Sequence, residues 1–187
     1  MEEHKWIKDV LAGDTHSFSY LVGKYQQMAF SIAFRILGNR EEAEEAVQDA
    51  FVKMYRALPD FRFDSKFSTW FYTIVYRTSL TAYRKEPLFT DYNEAASAHI
   101  TPEEAGNAAS LLESNDRKAV ISNVLKRLPP DESLLLTLYY LEECSVEEIH
   151  QITQLTLSNI KVKLFRARKR FYETLKHLMK HETYAIL

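Results

Sequence analysis

Seven apolar side chains define one long helix in the last quarter of this 187-residue chain. At 100° per residue, Leu157, Ile160, Leu164, Ala167, Phe171, Leu175 and Leu178 fall within about 80° of one another, a core-facing stripe. Upstream, "SFSYLVGKYQQMAFSIAFRILG", "REEAEEAVQDAFVKMYRAL" and "FSTWFYTIVYRTSLTAYRK" also read as helices. Ser17 is a suitable cap for the first of these and Gly38 a suitable terminator, while the second stops before Pro59. The chain has only 4 Gly and 5 Pro, which argues against sandwiches, barrels and Gly-rich phosphate loops. The expected class is all-α: two small helical domains joined by an acidic linker, the C-terminal one containing a helix-turn-helix.

The boundaries come from charge. Residues 1–85 carry 12 basic and 11 acidic side chains, residues 86–115 none and six, and residues 116–187 12 and nine. The middle segment is rich in Ala, Ser, Glu, Asn and Thr and shows no sustained apolar period. It reads as a tether, with a short helix after Pro102. The expected division is therefore 1–85, 86–115 and 116–187. The single Cys144 excludes an intramolecular disulfide and a multi-Cys zinc site and reads as a buried thiol in a reducing compartment. The start "MEEHKWIKDV" is too polar for a signal peptide, and no apolar run reaches the roughly 18 residues that span a bilayer. A cytoplasmic protein without membrane insertion is expected.

Although the whole chain has 24 basic and 26 acidic residues, six of the 13 residues in "NIKVKLFRARKRF" (159–171) are Lys or Arg. Opposite the stripe lie Ser158, Asn159, Val162, Lys163, Arg166, Lys169 and Arg170, with Phe165 at the margin. A solvated amphipathic face is the plain explanation, since cations near a helix C-terminus suit its dipole. Two features favour nucleic acid. Apolar side chains among cations suit a major groove, where a thymine methyl lies beside guanine and phosphate contacts. The preceding segment, "SVEEIHQIT", has Ser145 and Glu148 in capping-box spacing and an apolar stripe of Val146, Ile149 and Ile152. A short turn, "QLTL", then leads into the basic helix, which makes a helix-turn-helix without the usual turn glycine.

In "STWFYTIVYRTSLTAYRK", with Ser68 as N-cap, Phe67, Phe71, Ile74, Val75 and Thr78 share the core side, Trp70 lies at its edge, and Tyr72, Tyr76, Ser79 and Tyr83 follow on the other. Such a stripe is ordinarily half-buried packing. Here it sits among Arg62, Lys66, Arg77, Arg84 and Lys85, and aromatics interleaved with cations also suit unpaired bases. The loop "DFRFDSK" could wall a pocket for an extruded base. In "REEAEEAVQDAFVKMYRAL", Ala43, Ala46, Val47, Ala50, Phe51, Met54 and Leu58 face inward. Glu41, Glu44, Glu45, Gln48, Asp49 and Val52 face outward, as a solvated surface or a protein-binding one. Glu41, Glu42, Glu45 and Asp49 also resemble the carboxylate helix of all-α nucleotide pyrophosphohydrolases, but a second carboxylate pair to hold Mg²⁺ is not evident.

Taken together, "EEAEEAVQDAFVKMYRALPDFR…FSTWFYTIVYRTSLTAYRK" resembles region two of bacterial sigma factors. "LPPDESLLLTLYYLEECSVEEIHQITQLTLSNIKVKLFRARKRF" resembles region four. With these two regions and a short linker, the chain is similar to the extracytoplasmic-function (ECF) group. The resemblance implies no catalytic activity and no cofactor. It implies that Glu41, Glu44, Glu45, Gln48, Asp49 and Val52 bind the β′ clamp helices of core RNA polymerase, and that the β flap is a further contact. Arg62, Asp64, Ser65, Lys66, Thr69, Tyr72, Tyr76 and Arg77 would recognise and help melt the −10 element of promoter DNA. Ser158, Asn159, Lys161, Val162, Lys163, Phe165, Arg166, Lys169 and Arg170 would read the −35 element, with Arg168 supporting on the backbone. The acidic linker would run through the RNA exit region, and an anti-sigma factor would hold the protein inactive. Many relatives carry Asn where Arg77 stands and Gly-Thr where Ser158-Asn159 stands, so the promoter sequence does not transfer. A stand-alone helix-turn-helix repressor and a helical adaptor are the competing readings. Neither accounts for both the aromatic helix and the acidic face.

Overall fold

The computed structural model describes residues 2–85 and 113–185, and the described residues are helical throughout apart from turns and short connections. They fall into two compact units, one holding those of 1–91 and 148–154, the other those of 92–147 and 155–187. The tether expected over 86–115 lies mostly outside the described residues, as does the short helix after Pro102. Its last three positions already belong to a helix that starts at Glu113.

The first unit is built from α1 (Glu2–Leu11), α2 (Thr15–Leu37), α3 (Arg40–Ala57), a 3₁₀ turn (Leu58–Asp60) and α4 (Phe67–Lys85). The N-cap of α2 is Asp14 rather than Ser17: its carboxylate accepts the His16 amide at 2.9 Å and the Ser17 hydroxyl at 2.8 Å. Gly38 ends α2 with φ 72°, and its amide donates to the Phe34 carbonyl. This left-handed step favours glycine. Asn39 immediately caps α3 by accepting from the amides of Glu41 and Glu42. The two helices thus form a tight hairpin.

Helix α4 packs against both α2 and α3, so two of its sides are covered. Phe67, Phe71, Val75 and Thr78 are buried as expected, and so, against the helical pattern that sets them on the other side, are Tyr72 and Ser79. Tyr25, Phe51, Phe67, Phe71 and Tyr72 form the centre of this core, with ring centroids 4.8–6.3 Å apart among contacting pairs. Helix α1 is tied to α2 by Glu3, which takes both Lys24 and Tyr25.

In the second unit, α5 (Glu113–Lys126) and α6 (Pro130–Leu136) pack with α8 (Leu157–Ala185). The Ser133 hydroxyl donates to the Leu125 carbonyl at 2.7 Å, joining α6 to α5. Beyond α6 the chain widens into a π-helical turn over Thr137–Leu141, a local loosening often found beside functional surfaces. The stripe of α8 is buried at Ile160, Leu164 and Ala167 and half-buried at Phe171, Leu175 and Leu178. Leu157, by contrast, opens the helix and is 40% exposed among the described residues.

Between α7 (Val146–Thr153) and α8 the turn is Gln154–Thr156. The amide of Gln154 donates to His150 at 2.8 Å, and the Thr156 hydroxyl accepts from the amide of Asn159 at 3.2 Å. Gln154 has φ 63°, so it occupies the left-handed position where these turns usually place glycine. A Cβ there costs about 1 kcal/mol. Gln154→Gly should therefore raise the melting temperature of the full chain by a few degrees. A lowered one would mean that the side-chain bond from Gln154 Nε2 to the Gln151 carbonyl outweighs the backbone strain.

Candidate nucleic-acid interface

On α8 the outer face is clear of the rest of its unit. Ser158, Asn159, Lys161, Val162, Phe165, Arg166 and Lys169 are all exposed, Val162 at 45% and Phe165 at 68%. Lys161, Arg166 and Lys169 make no ion pair among the described residues. An exposed phenyl ring between unpaired cations has no structural reason in an isolated domain, whereas a groove supplies one.

Three further cations of α8 are engaged at its edges. Lys163 pairs with Asp131. Glu132 Oε2 lies 3.0 Å from Arg170 Nη1, an ion-pair distance without the alignment of a hydrogen bond. Burial pushes the Glu132 carboxyl above its ordinary value, and Arg170 beside it pulls the other way. Arg168 donates from Nε to the Tyr140 hydroxyl at 2.8 Å and lies over the rings of Tyr139 and Tyr140 at 5.4 and 5.6 Å. Lys163 and Arg170, grouped in the sequence with the outward cations, are therefore edge residues already held by α6. Their partners lie 32 and 38 residues away in sequence, beyond the reach of a helical-wheel argument.

In the first unit, the loop before α4 exposes Arg62, Phe63, Asp64 and Lys66, with Ser65 half-exposed and Arg62 paired with Asp64 at 3.2 Å. Phe63 is a residue that the sequence does not single out. It has φ 61°, is 42% exposed, and stands 4.7 Å from the Phe61 ring and 5.0 Å from His4. Left-handed backbone at an aromatic residue costs on the order of 1–3 kcal/mol and concentrates at binding sites. Along α4, Arg77 is exposed and Tyr76 half-buried, while Thr69 and Tyr72 are each only 2% exposed. Tyr72 sits among Tyr25 and Phe71, so its ring is core and offers no stacking face in this structure.

On α3, Glu41, Glu44, Glu45, Gln48, Asp49 and Val52 are all exposed, and Ala43, Ala46, Val47, Ala50, Phe51 and Met54 are buried. Tyr55, one turn beyond Val52, extends this face with 45% exposure and an edge-to-face contact on Phe18. Glu44 pairs with Arg40 at 2.9 Å. Among the described residues no three His, Cys, Asp or Glu side chains are placed to hold a metal ion, and no helix is long and apolar enough to cross a membrane.

Comparison with known proteins gives a consistent pattern. Residues 21–87 match Sigma-70 region 2, and residues 118–171 match Sigma-70, region 4. The RNA polymerase sigma-H factor of Pseudomonas aeruginosa is 30% identical over 191 residues, covering 96% of each chain. The ECF RNA polymerase sigma-E factor of Escherichia coli is 31% identical over 170 residues, covering 87% of this chain and 88% of the relative. Among solved structures, the sigma factor RpoE of Bartonella quintana, in complex with the anti-sigma factor NepR, superposes with a TM-score of 0.59. That match is at 22% identity and covers 85% of this chain and 96% of RpoE; it speaks to the fold.

Proposed function

The chain belongs to the sigma-70 family, in its extracytoplasmic-function group, and from that premise we propose how its exposed faces divide promoter recognition. As a sigma factor it binds core RNA polymerase and directs promoter-specific initiation of transcription. It acts in the cytoplasm as a non-enzymatic initiation factor that needs no cofactor.

The outer face of α8 reads the −35 element in the major groove. The observation that carries this is the exposure of Val162 and Phe165 between three cations without ion pairs. Arg166 and Lys169 contact base edges or phosphates, Phe165 a base or sugar, and Ser158 and Asn159 the backbone at the helix start. In the first unit, Arg62, Phe63 and Lys66 on the loop, with Tyr76 and Arg77 on α4, engage the −10 element, where Phe63 offers an extruded base a stacking face. The acidic face of α3, with Val52 and Tyr55 as its apolar centre, binds the β′ clamp helices, and the second unit also meets the β flap. The working division of the chain is 1–85, 86–115 and 116–187, with the acidic middle segment running through the RNA exit region. An anti-sigma factor restrains the protein, as the complex of the Bartonella homologue suggests.

Neither half needs high affinity for DNA. A few base contacts worth about 1–3 kcal/mol each cannot compete with genomic non-specific sites. Mounting both halves on polymerase raises their effective concentration. That explains why a chain of net charge −2 concentrates six of its cations within residues 159–171. The test is to mix the purified chain with bacterial core polymerase, follow co-elution on a sizing column, and map transcripts from a genomic template. Co-elution with discrete new start sites is expected. No co-elution, with a sequence-specific gel shift by the chain alone, would instead establish a stand-alone regulator.

A further inference from the structure

Asp131 and Glu132, in the first turn of α6, take hold of α8 from one side: Asp131 pairs with Lys163 and Glu132 with Arg170. Lys163 and Arg170 are seven residues apart, two helical turns, so they lie along a single edge of α8. On the other edge Arg168 is held by Tyr139 and Tyr140. Between the edges, Ile160, Leu164 and Ala167 point inward, and Val162, Phe165, Arg166 and Lys169 point outward. The apolar stripe alone would let the helix roll, because hydrophobic burial is non-directional. Carboxylates at fixed places on α6 and tyrosines on the π-helical turn remove that freedom. The two acidic residues are not equivalent. Asp131 and Lys163 have side chains 44% and 30% exposed, a geometry in which an ion pair contributes little. The Glu132 side chain is only 10% exposed, although its partner Arg170 is 50% exposed, so what sets this pair apart is the buried carboxylate.

We propose that Glu132 is a positioning residue: through Arg170 it fixes the rotation of α8 about its own axis, and with it the angle at which Val162, Phe165 and Arg166 meet DNA. This rests on the reading that the outer face of α8 contacts duplex DNA. Glu132 itself, buried against α8, makes no contact with the promoter, and Arg170 serves the protein rather than the phosphates.

The test uses the full-length chain assembled with core polymerase on a promoter mapped as above. Glu132→Ala should lower transcription on the order of fivefold to tenfold, Arg170→Ala should lower it by the same factor, and the double variant no further, because the two residues act as one unit. Glu132→Gln keeps the shape of the side chain but not its charge, and because the contact is an ion pair without hydrogen-bond alignment it should lower transcription as Glu132→Ala does. The salt dependence of promoter binding should be the same in all four, since no phosphate contact is lost. A rise in transcription with Glu132→Ala would overturn the proposal, because Glu132 would then be masking a DNA-binding Arg170. A double variant as weak as the product of the singles, with a shallower salt dependence, would overturn it too, because Arg170 would then touch DNA itself. So would a loss that merely follows the fraction of helix melted at the assay temperature. Arg166→Ala, run alongside, separates the two layers. If it is silent, the reading of the α8 face fails. If it is damaging while Glu132→Ala is silent, the positioning role alone fails.

Discussion

Replacing Arg166 with Ala should cut transcription from a cognate promoter by about ten- to a hundredfold while leaving assembly with core polymerase unchanged. The magnitude follows from the loss of one good base or phosphate contact, about 1–3 kcal/mol. The choice of residue follows from the structure: Arg166 is exposed and has no ion pair, on the same outward face as Val162 and Phe165. Its charge reaches Glu132 of α6 only at a distance, without an ion pair, so the fold has little to lose. The two possible modes of contact leave different traces. A base contact makes the variant tolerant of substitution at one promoter position. A phosphate contact weakens all promoters alike and lowers the salt slope by about one. Transcription at parental level from every mapped promoter would remove Arg166 from the interface.

The helical class and the inward stripes of α3 and α8 were legible because period 3.6 is visible in one segment at a time. Ala43 through Met54 and Ile160 through Ala167 sit where the wheel puts them. What was not legible depends on two or more segments at once. Tyr72 looks like the outer side of α4 until α2 and α3 are seen to cover that helix from two directions. Lys163 and Arg170 look like free cations until α6 brings Asp131 and Glu132 to them. Backbone strain was equally invisible. Phe63 and Gln154 occupy left-handed conformations, and sequence rules expect glycine there. The π-helical turn over Thr137–Leu141 has no composition of its own, and it presents the two tyrosines that hold Arg168.

Phe71→Ala should be the most damaging single change in the first unit, lowering its stability by about 3–5 kcal/mol. Phe71 is fully buried, and its ring lies 4.8 Å from Phe51 on α3, 5.9 Å from Tyr25 on α2, and 6.3 Å from both Phe67 and Tyr72. It is thus the point where three helices share one side chain, and its removal leaves a cavity that no single neighbour can fill. Domains of this kind have a total stability of only about 5–15 kcal/mol, so the loss is a large part of what holds α3 and α4 together. Both Trp6 and Trp70 belong to this unit, and the chain has no third Trp. Tryptophan fluorescence in a urea titration therefore follows the first unit alone. The expected result is a midpoint shifted down by more than 1 M, given about 1–3 kcal/mol per molar for small domains, together with loss of co-elution with core polymerase. Tyr76→Ala, on a half-buried position of α4, should shift the midpoint much less and act on promoter opening instead. Equal shifts for the two variants would mean that the aromatic cluster around Phe71 is not the centre of this core.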